Sequence, residues 1–362
     1  MDRYVKEMEG YMYPPRIGAV SYATPQGLGH LMWSFYGAGV VTRPAIVHHN
    51  KHPNYPHWYP KSTPYLDPRK PFIKQDGMEE WLRSVDVVLF FETPFNWDFI
   101  NECHRRNVRT VLMPMYEWTP KVLPARPTSF LCPSKLDKDY FPHGEYIPVP
   151  VRTDLWRQKT TVKRFLHNAG HVGHREHKGT RQLIQALPHL KTSPRITLRC
   201  QYPSVINTMM HQELGRRNLA SNIEIHTGYF PYDKLWEYHD AVIIPEKFNG
   251  LSLPLQEAYA AGLLVITTNR YPANDWLPNE PLIPVKSCSR QCITRNYLEF
   301  DEAEVDPKAI AEVIDTWNGA DITDYSWRAK AWASDHSWSL LRNRYVDYFA
   351  RVCSMPVTGV NP

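Results

Sequence analysis

The segment Pro245 to Asn269, PEKFNGLSLPLQEAYAAGLLVITTN, holds the residues best suited to chemistry. The apolar run Ala241 to Ile244 reads as a buried strand. It leads into Asn249-Gly250-Leu251-Ser252, and a helix follows over Leu253 to Ala261. The first N–H groups of a helix have no partner within it, and the helix dipole adds positive potential there. A diphosphate fits such a start. Gly250 lets the backbone pass close to phosphate oxygens. Glu257, about one turn into the helix, can accept hydrogen bonds from two ribose hydroxyls. Ala258, Ala260, Ala261 and Gly262 are small, which lets a helix lie close on a sheet.

This segment resembles the donor-binding signature of retaining GT-B glycosyltransferases, the family-four group (glycosyl transferases group 1). That pattern is proline, three variable residues, Glu-Gly-Phe-Gly-Leu-Pro, two apolar residues, Glu-Ala, then a glycine before an apolar strand. Here it reads Pro245, Asn249-Gly250-Leu251-Ser252-Leu253-Pro254, Glu257-Ala258 and Gly262, without a gap. The first glutamate of the family's pair falls on Asn249, which can hydrogen-bond a sugar hydroxyl but carries no charge. Glu246, three positions earlier, is the candidate to compensate. Phe165 to Gly179, FLHNAGHVGHREHKG, resembles the family's strand, glycine loop and Lys-Gly. The resemblance implies that Lys178 binds the donor diphosphate. It implies an arginine there too, with Arg175 as the candidate and His171 and His174 as alternatives. Gly228 and Tyr229, after Thr227, match the loop that cradles the nucleotide base.

The N-terminal half carries a weaker likeness. Gln26-Gly27-Leu28-Gly29-His30 resembles the family's glycine loop, which implies that Gly29 lies near the donor phosphate. The family often has a histidine at the end of a central strand of this half. That place here reads Met115-Tyr116-Glu117-Trp118. The implied catalytic set is His30, Glu117 and Asn249. The implied fold is α/β, with two doubly wound Rossmann-like domains facing a central cleft. A closing helix that opens at Ser337-Trp338 crosses back to the first domain. Residues 1–150 would bind the acceptor and 151–336 the nucleotide sugar, with helix 337–352 packing on the first domain. No bound metal or other cofactor is implied, and the nucleoside diphosphate sugar is a substrate. Closure about Pro148 to Arg152 would exclude water.

Between Pro44 and Asp76 the chain is rich in proline, aromatics and basic residues, and it reads as an extended surface loop. Trp58, Tyr59, Arg69 and Lys70 interleave rings with cations, a pattern that suits sugars or nucleotides, so this loop is expected to face the acceptor. His48, His49, His52 and His57 lack acidic or cysteine companions in sequence, which argues against a metal centre.

These residues need a scaffold, and the hydrophobic pattern supplies one. Strands are expected at Ile17–Tyr22, Ala45–His48, Val85–Phe91, Val108–Met113 and Ser129–Cys132. Helices are expected at His30–Tyr36 and Asn96–Arg106. Ile147-Pro148-Val149-Pro150-Val151 forces extended backbone and marks a domain boundary. Beyond it, strands are expected at Arg164–His167, Ile196–Cys200, Ile223–His226, Ala241–Ile244 and Leu264–Thr267. Helices alternate with them at Gly179–Leu187, Val205–Arg217, Tyr232–Tyr238 and Leu253–Ala261. Two more helices, Pro307–Trp317 and Ser337–Val352, close the chain. This alternation predicts parallel sheets with crossover helices.

Composition is compatible with this reading. The 362 residues exceed one ordinary core, and 43% hydrophobic with 22% charged residues describes a folded chain. No apolar run reaches membrane-spanning length. Six scattered cysteines and a polar Met1 to Gly10 suggest reduced thiols and a cytoplasmic protein, monomeric or dimeric. A net charge of +5 permits an anionic partner. The expected activity is transfer of a sugar from a nucleoside diphosphate sugar, as UDP-sugar or similar, to an acceptor hydroxyl. The acceptor is a small molecule, glycan or lipid head group, or a hydroxylated base in viral DNA. A nucleotide-sugar-binding protein without transferase activity is the rival.

Overall fold

The computed structural model describes residues 14–172, 176–215, 222–277, 279–293 and 298–357. The chain forms two compact units. The first comprises the described residues up to Pro133, Asp137–Ile147, and those from Leu341 onward; the second comprises Ser134–Leu136 and Pro148–Leu340.

In the first unit β1 (Ile17–Tyr22) leads into α1 (Gly27–Gly37) and β2 (Arg43–Val47). Then come β3 (Tyr65–Leu66), α2 (Met78–Arg83), β4 (Val87–Glu92), α3 (Asp98–Arg105), β5 (Arg109–Pro114) and β6 (Ser129–Cys132). α4 (Lys135–Tyr140) and β7 (Glu145–Tyr146) follow. The seven strands form a sheet in the order β3-β2-β1-β4-β5-β6-β7, with every neighbouring pair parallel. A parallel sheet covered on both faces needs continuous apolar strands, and IGAVSY, VVLFFE and SFLC supply them. The strand order reverses between β1 and β4, so the carboxyl ends of these two strands flank the crevice where α/β sheets bind ligands.

The second unit holds β8 (Arg164–Gly170), α5 (Thr180–Ala186), β9 (Arg195–Cys200), α6 (Pro203–Leu214), β10 (Ile223–Thr227) and β11 (Ala241–Ile244). α7 (Leu253–Ala260), β12 (Leu264–Thr268), α8 (Ala273–Trp276) and β13 (Leu282–Ile283) continue it. The six strands are parallel in the order β10-β9-β8-β11-β12-β13, with the reversal between β8 and β11. An antiparallel hairpin, β14 (Val285–Ile293) and β15 (Leu298–Val305), follows, and then α9 (Pro307–Trp317) and α10 (Thr323–Asp335). α11 (Trp338–Cys353) ends the described chain. From Leu341 this helix belongs to the first unit, where the Tyr345 ring meets Phe35 edge-on at 4.9 Å and the Tyr348 hydroxyl bonds Ser129 Oγ at 2.9 Å.

Several sequence expectations need correction. The stretch from Pro44 to Asp76 is not an extended surface loop. Leu66 and Phe72 are buried in the core and Tyr65–Leu66 adds a strand to β2, because the apolar residues between the prolines fold back onto the sheet. The helix expected at Tyr232–Tyr238 is a single 3-10 turn over Tyr232–Lys234, ended by packing of Trp236 into the core. The helix expected at Val205–Arg217 runs over Pro203–Leu214, and residues 216 and 217 lie outside the described residues. The hairpin and α10 were not anticipated.

Glycine is required where the second unit's first crossover meets β11. Gly179 has φ +69°, and a Cβ there would lie 2.1 Å from the Pro245 carbonyl oxygen. Gly77 has φ +77° with open space around it. Left-handed backbone costs an L-residue roughly 1–2 kcal/mol, and a forced backbone contact adds about 1–3 kcal/mol. Gly179→Ala is therefore expected to lower Tm by several degrees more than Gly77→Ala, measured side by side by calorimetry.

Candidate functional site

The carboxyl ends of β8 and β11 carry the densest group of perturbed charges in the second unit. The chain leaving β8 returns to the sheet at His177, whose carbonyl accepts the Lys247 amide at 2.7 Å. Beside it Gly179 rests on Pro245. Below this contact the buried His167 joins β8 to its neighbours. Its Nδ1 meets the Ile243 carbonyl and its Nε2 meets Thr180 Oγ, both at 2.8 Å. A carbonyl only accepts, so Nδ1 carries the hydrogen and the ring is neutral, in keeping with a pKa that burial pushes down to about 4.

This junction brings Lys178 to the loop before α7. Its ammonium donates to the Asn168 carbonyl at 3.3 Å and interacts electrostatically with Glu246 and Glu257. Burial lowers the lysine pKa, and the two carboxylates act against that shift. Glu257 accepts from the Tyr232 hydroxyl, and desolvation pushes its carboxyl up to about 7 despite that bond, Lys178 and Arg152. The Arg152 guanidinium lies 5.5 Å from the centre of the Tyr232 ring.

The loop itself is tied internally. Asn249 Oδ1 accepts the Ser252 amide at 2.8 Å, and Asn249 Nδ2 donates to Glu246 Oε1 at 3.1 Å. Ser252 Oγ donates to the same oxygen at 2.7 Å. Ser252 precedes α7 with φ 49°, a left-handed conformation that turns the chain into the helix. Arg270 Nη1 bonds the Asn249 carbonyl at 3.0 Å. Asn249 is thus a turn former whose amide is committed to the loop, and the Ser252 N–H is already bonded within it. Leu251 is buried, and Gly250 is enclosed beside it. The hairpin supports this loop from outside. Phe248 packs on Phe300 at 4.2 Å, the Ala303 amide bonds the Lys247 carbonyl at 2.8 Å, and Lys247 Nζ pairs with Glu302 at 2.9 Å.

Glu246 is the residue whose importance sequence reasoning underrated. It is 1% exposed, and its second oxygen, Oε2, finds no hydrogen-bond partner among the described residues. Desolvation pushes its pKa up to about 7, against the pull of Ser252, Arg270, Lys178 and Asn249.

The remaining donor candidates are spread more widely. Gly228 closes β10 with φ +103° and open space beside it, and Tyr229 follows half-buried. Arg175 and His174 lie outside the described residues; His171 is exposed with its ring 6.3 Å from Tyr202. In the first unit Gly29 is packed so tightly on Thr24 that a Cβ would lie 2.1 Å from the Thr24 carbonyl. It shapes the turn from β1 into α1, which presents His30 beside Trp58 at 5.4 Å.

The carboxyl end of β4 adds a group absent from the sequence expectations. Glu92 sits there with φ 65°, a strained conformation for a non-glycine residue. Desolvation first and the charge of Glu117 second raise its pKa to about 8. Tyr22 at the end of β1 feels the same carboxylate. The structure therefore brings Glu117, buried, together with Glu92 and Tyr22 at the switch point of the first sheet. It does not gather the proposed acceptor residues. Tyr59 is buried edge-on against Tyr36, Arg69 is held by Asp67 in a two-pronged ion pair, and Lys70 lines a separate hollow with Arg43 and Lys74. His48, His49 and His52 bond Tyr65, neighbouring amides and Gln26. Among the described residues no group of three or more His, Cys, Asp or Glu side chains is arranged to hold a metal ion.

A carboxyl whose folded pKa exceeds its unfolded value contributes stability below the unfolded pKa, and this is lost as pH rises through the folded pKa. For Glu246 that window runs from about 4.5 to about 7. The loss reaches about 3 kcal/mol, at 1.36 kcal/mol per unit. Glu246→Gln keeps an acceptor for Ser252 and Asn249 and removes the ionisation. Its Tm is expected to exceed that of the parent at pH 8 by several degrees, with the gap shrinking toward pH 5, as read by thermal melts across pH.

No protein-family model matches the chain, and neither does any curated protein sequence. Solved structures do match. A glycosyltransferase from Rickettsia africae superposes with TM-score 0.64 at 13% identity, covering 94% of this chain and 99% of that one. HepE from Anabaena, in complex with UDP and glucose, gives TM-score 0.66 at 12% identity over 93% of this chain and 100% of that one. Sucrose-phosphate synthase from Thermosynechococcus elongatus gives 0.63 at 12% identity over 94% and 99%. At such low identity the likeness establishes the fold, the two parallel-sheet α/β units of the GT-B type.

Proposed function

We propose that this chain, built on the GT-B fold, transfers a sugar from a nucleoside diphosphate sugar to an acceptor hydroxyl, with retention at the anomeric carbon. The observation that carries this reading is the Lys178 ammonium held at the carboxyl end of β8, within electrostatic reach of Glu246 and Glu257 and beside the loop that opens α7. A departing nucleoside diphosphate gains negative charge as the glycosidic bond breaks. A cation and a helix start fixed before the reaction stabilise that charge without reorganisation. Glu257 is the ribose partner, with Tyr232 orienting its carboxylate. Retention rests on the likeness of Pro245 to Gly262 to the family signature.

Asn249 stands where that signature has a sugar-contacting glutamate, and its amide is spent on the loop. Glu246 supplies the carboxylate instead, since its Oε1 lies 3.1 Å from Asn249 Nδ2 and its Oε2 has no protein partner among the described residues. In the first unit Glu92 and Glu117 hold the acceptor hydroxyl, supported by their pairing at the sheet's switch point. His30 and Trp58 form the adjoining wall.

The HepE structures contain UDP and UDP-glucose, so uridine diphosphate is the first probe. UDP is expected to raise Tm by mass action. Lys178→Ala should weaken its binding by about tenfold or more, equivalent to roughly 1.4 kcal/mol. Glu257→Ala should weaken UDP while leaving inorganic pyrophosphate unaffected. If no nucleoside diphosphate shifts Tm or registers in calorimetry, the donor-site assignment fails.

Transfer is tested with labelled UDP-sugars against glycan, lipid-extract and hydroxymethylated-DNA acceptors. Glu246→Gln is expected to lower kcat by about a hundredfold, roughly 2.7 kcal/mol of transition-state stabilisation, with UDP affinity within threefold of the parent. A parent protein that binds UDP yet neither transfers nor hydrolyses any donor would instead be a nucleotide-sugar-binding protein.

A further inference from the structure

A second cavity of about 350 Å³ opens in the second unit, away from the loop before α7. Its polar lining includes the cations Arg164, Arg195, Arg199 and Lys234, the histidines His226 and His239, and Glu224. Burial first and the neighbouring cations second push the His239 pKa down to about 3, so its ring is neutral. Arg164 and Arg195 are the first residues of β8 and β9, and Arg199 is the last but one of β9, so the cavity runs along most of the strand length. Lys178 sits at the carboxyl end of β8, up to about 20 Å from Arg164 at 3.3 Å per residue, whereas Arg199 is registered beside Asn168, whose carbonyl accepts from Lys178. Side chains alternate faces along a strand, which puts Arg195, Thr197 and Arg199 of β9 on one face, with His226 of β10 registered beside Arg199. The segment from Phe230 to His239 covers that face.

Arg199 has the least ordinary environment. It is 5% exposed, its Nη1 donates to the Leu235 carbonyl at 2.7 Å, and its guanidinium lies 4.2 Å from the centre of the Phe230 ring. Its Nε has no hydrogen-bond partner among the described residues. His239 is 4% exposed, and its Nδ1 is likewise unpartnered. A buried guanidinium is normally paired with an acid. The acids nearby are otherwise engaged. Glu224 meets His226 at 3.2 Å, Glu237 meets Lys234 at 2.8 Å, and Asp240 accepts the amides of Lys163 and Arg164. The guanidinium groups of Arg164 and Arg195, both exposed, meet no carboxylate among the described residues.

We infer that this cavity is a binding site for a small phosphate monoester, its phosphate held by Arg199 and His239 from within and by Arg164 and Arg195 at the mouth. The volume suits a phosphorylated sugar, and pockets of this size enclose small molecules rather than polymer backbones. The Phe230 and Tyr238 rings give its carbon skeleton an apolar wall. Neither Lys178 nor the loop before α7 lines this cavity, so the inference does not depend on the transferase reading.

The test is calorimetric titration of the full chain with glucose 6-phosphate and with inorganic phosphate, at ionic strength fixed by chloride. One molar equivalent is expected to bind, the ester more tightly than the inorganic ion. Arg164→Ala/Arg195→Ala, with both changes on exposed side chains, should weaken binding at least tenfold and leave UDP affinity unchanged. Arg199→Met should weaken it further if the variant folds. Lys178→Ala should bind the ester like the parent. Equal affinity in the parent and the double variant overturns the assignment. So does loss of ester binding in Lys178→Ala, which would place the anion at β8's other end. Absence of heat with either probe, or response only to DNA or anionic vesicles, overturns it as well.

Discussion

The close approach of Gly179 to Pro245 governs the second unit's chemistry. A side chain at 179 would collide with a backbone oxygen, so the first crossover can sit on the end of β11 only with glycine there. That contact fixes His177 against Lys247 and sets Lys178 toward the carboxylates of Glu246 and Glu257. The sheet dictates where this happens. β8 and β11 are neighbours in space but lie on opposite sides of the order reversal, and their following segments diverge to opposite faces. The crevice left between them is where the buried Lys178 cation meets Glu246 and Glu257. His167 reinforces the seam from below by bonding β11 and the start of α5 together.

Burying two carboxyls beside one lysine is an expensive arrangement. Desolvation is the largest influence on both acids, and neither the lysine nor the local hydroxyls cancel it. Such a site stores unfavourable energy that the surrounding apolar packing must overcome. Here Phe248 wedged against Phe300, together with the fully buried strand β11, supplies that packing. A buried carboxylate oxygen without a partner among the described residues, as at Glu246 Oε2, leaves a hydrogen-bond acceptor unsatisfied at a cost in stability.

Strands buried on both faces were legible in sequence because nothing but apolar residues fits them. Ile17–Tyr22, Ser129–Cys132 and Ala241–Ile244 have the same bounds in the sequence reading and the structure. The hairpin was hidden for the opposite reason. In LEFDEAEV the apolar residues fall at 298, 300, 303 and 305, so period-two alternation breaks midway, and acidic residues that pair with Lys247 and Lys286 fill the gaps. The sequence marked Lys178 and Glu257 through their flanking glycines. It could not reveal that Asn249 spends its amide on its own loop, because that depends on the left-handed turn at Ser252. Glu92 was masked as one polar residue ending an apolar run, and its partner Glu117 lies on the segment after a different strand. Arg199 and His239 are forty positions apart in the chain, and only the turn at Tyr232–Lys234 closes the space between them.

The two units repeat one device despite their different sequences. In each sheet the strand just past the order reversal leads to a carboxyl of raised pKa: the half-buried Glu92 that ends β4, and the buried Glu246 two residues beyond β11. Both are shifted upward by burial, to about 8 and about 7. Chemically the two differ. Glu92 has its pKa raised by burial first and by the charge of Glu117 second, which favours its protonated form near neutral pH. Glu246 is surrounded by donors, namely Ser252, Asn249, Arg270 and Lys178, which favour its charged form. The same fold position thus carries a carboxyl of raised pKa in both units, beside a second acid in one and beside hydrogen-bond donors and cations in the other, and the difference lies in which side chains the neighbouring loops bring to it.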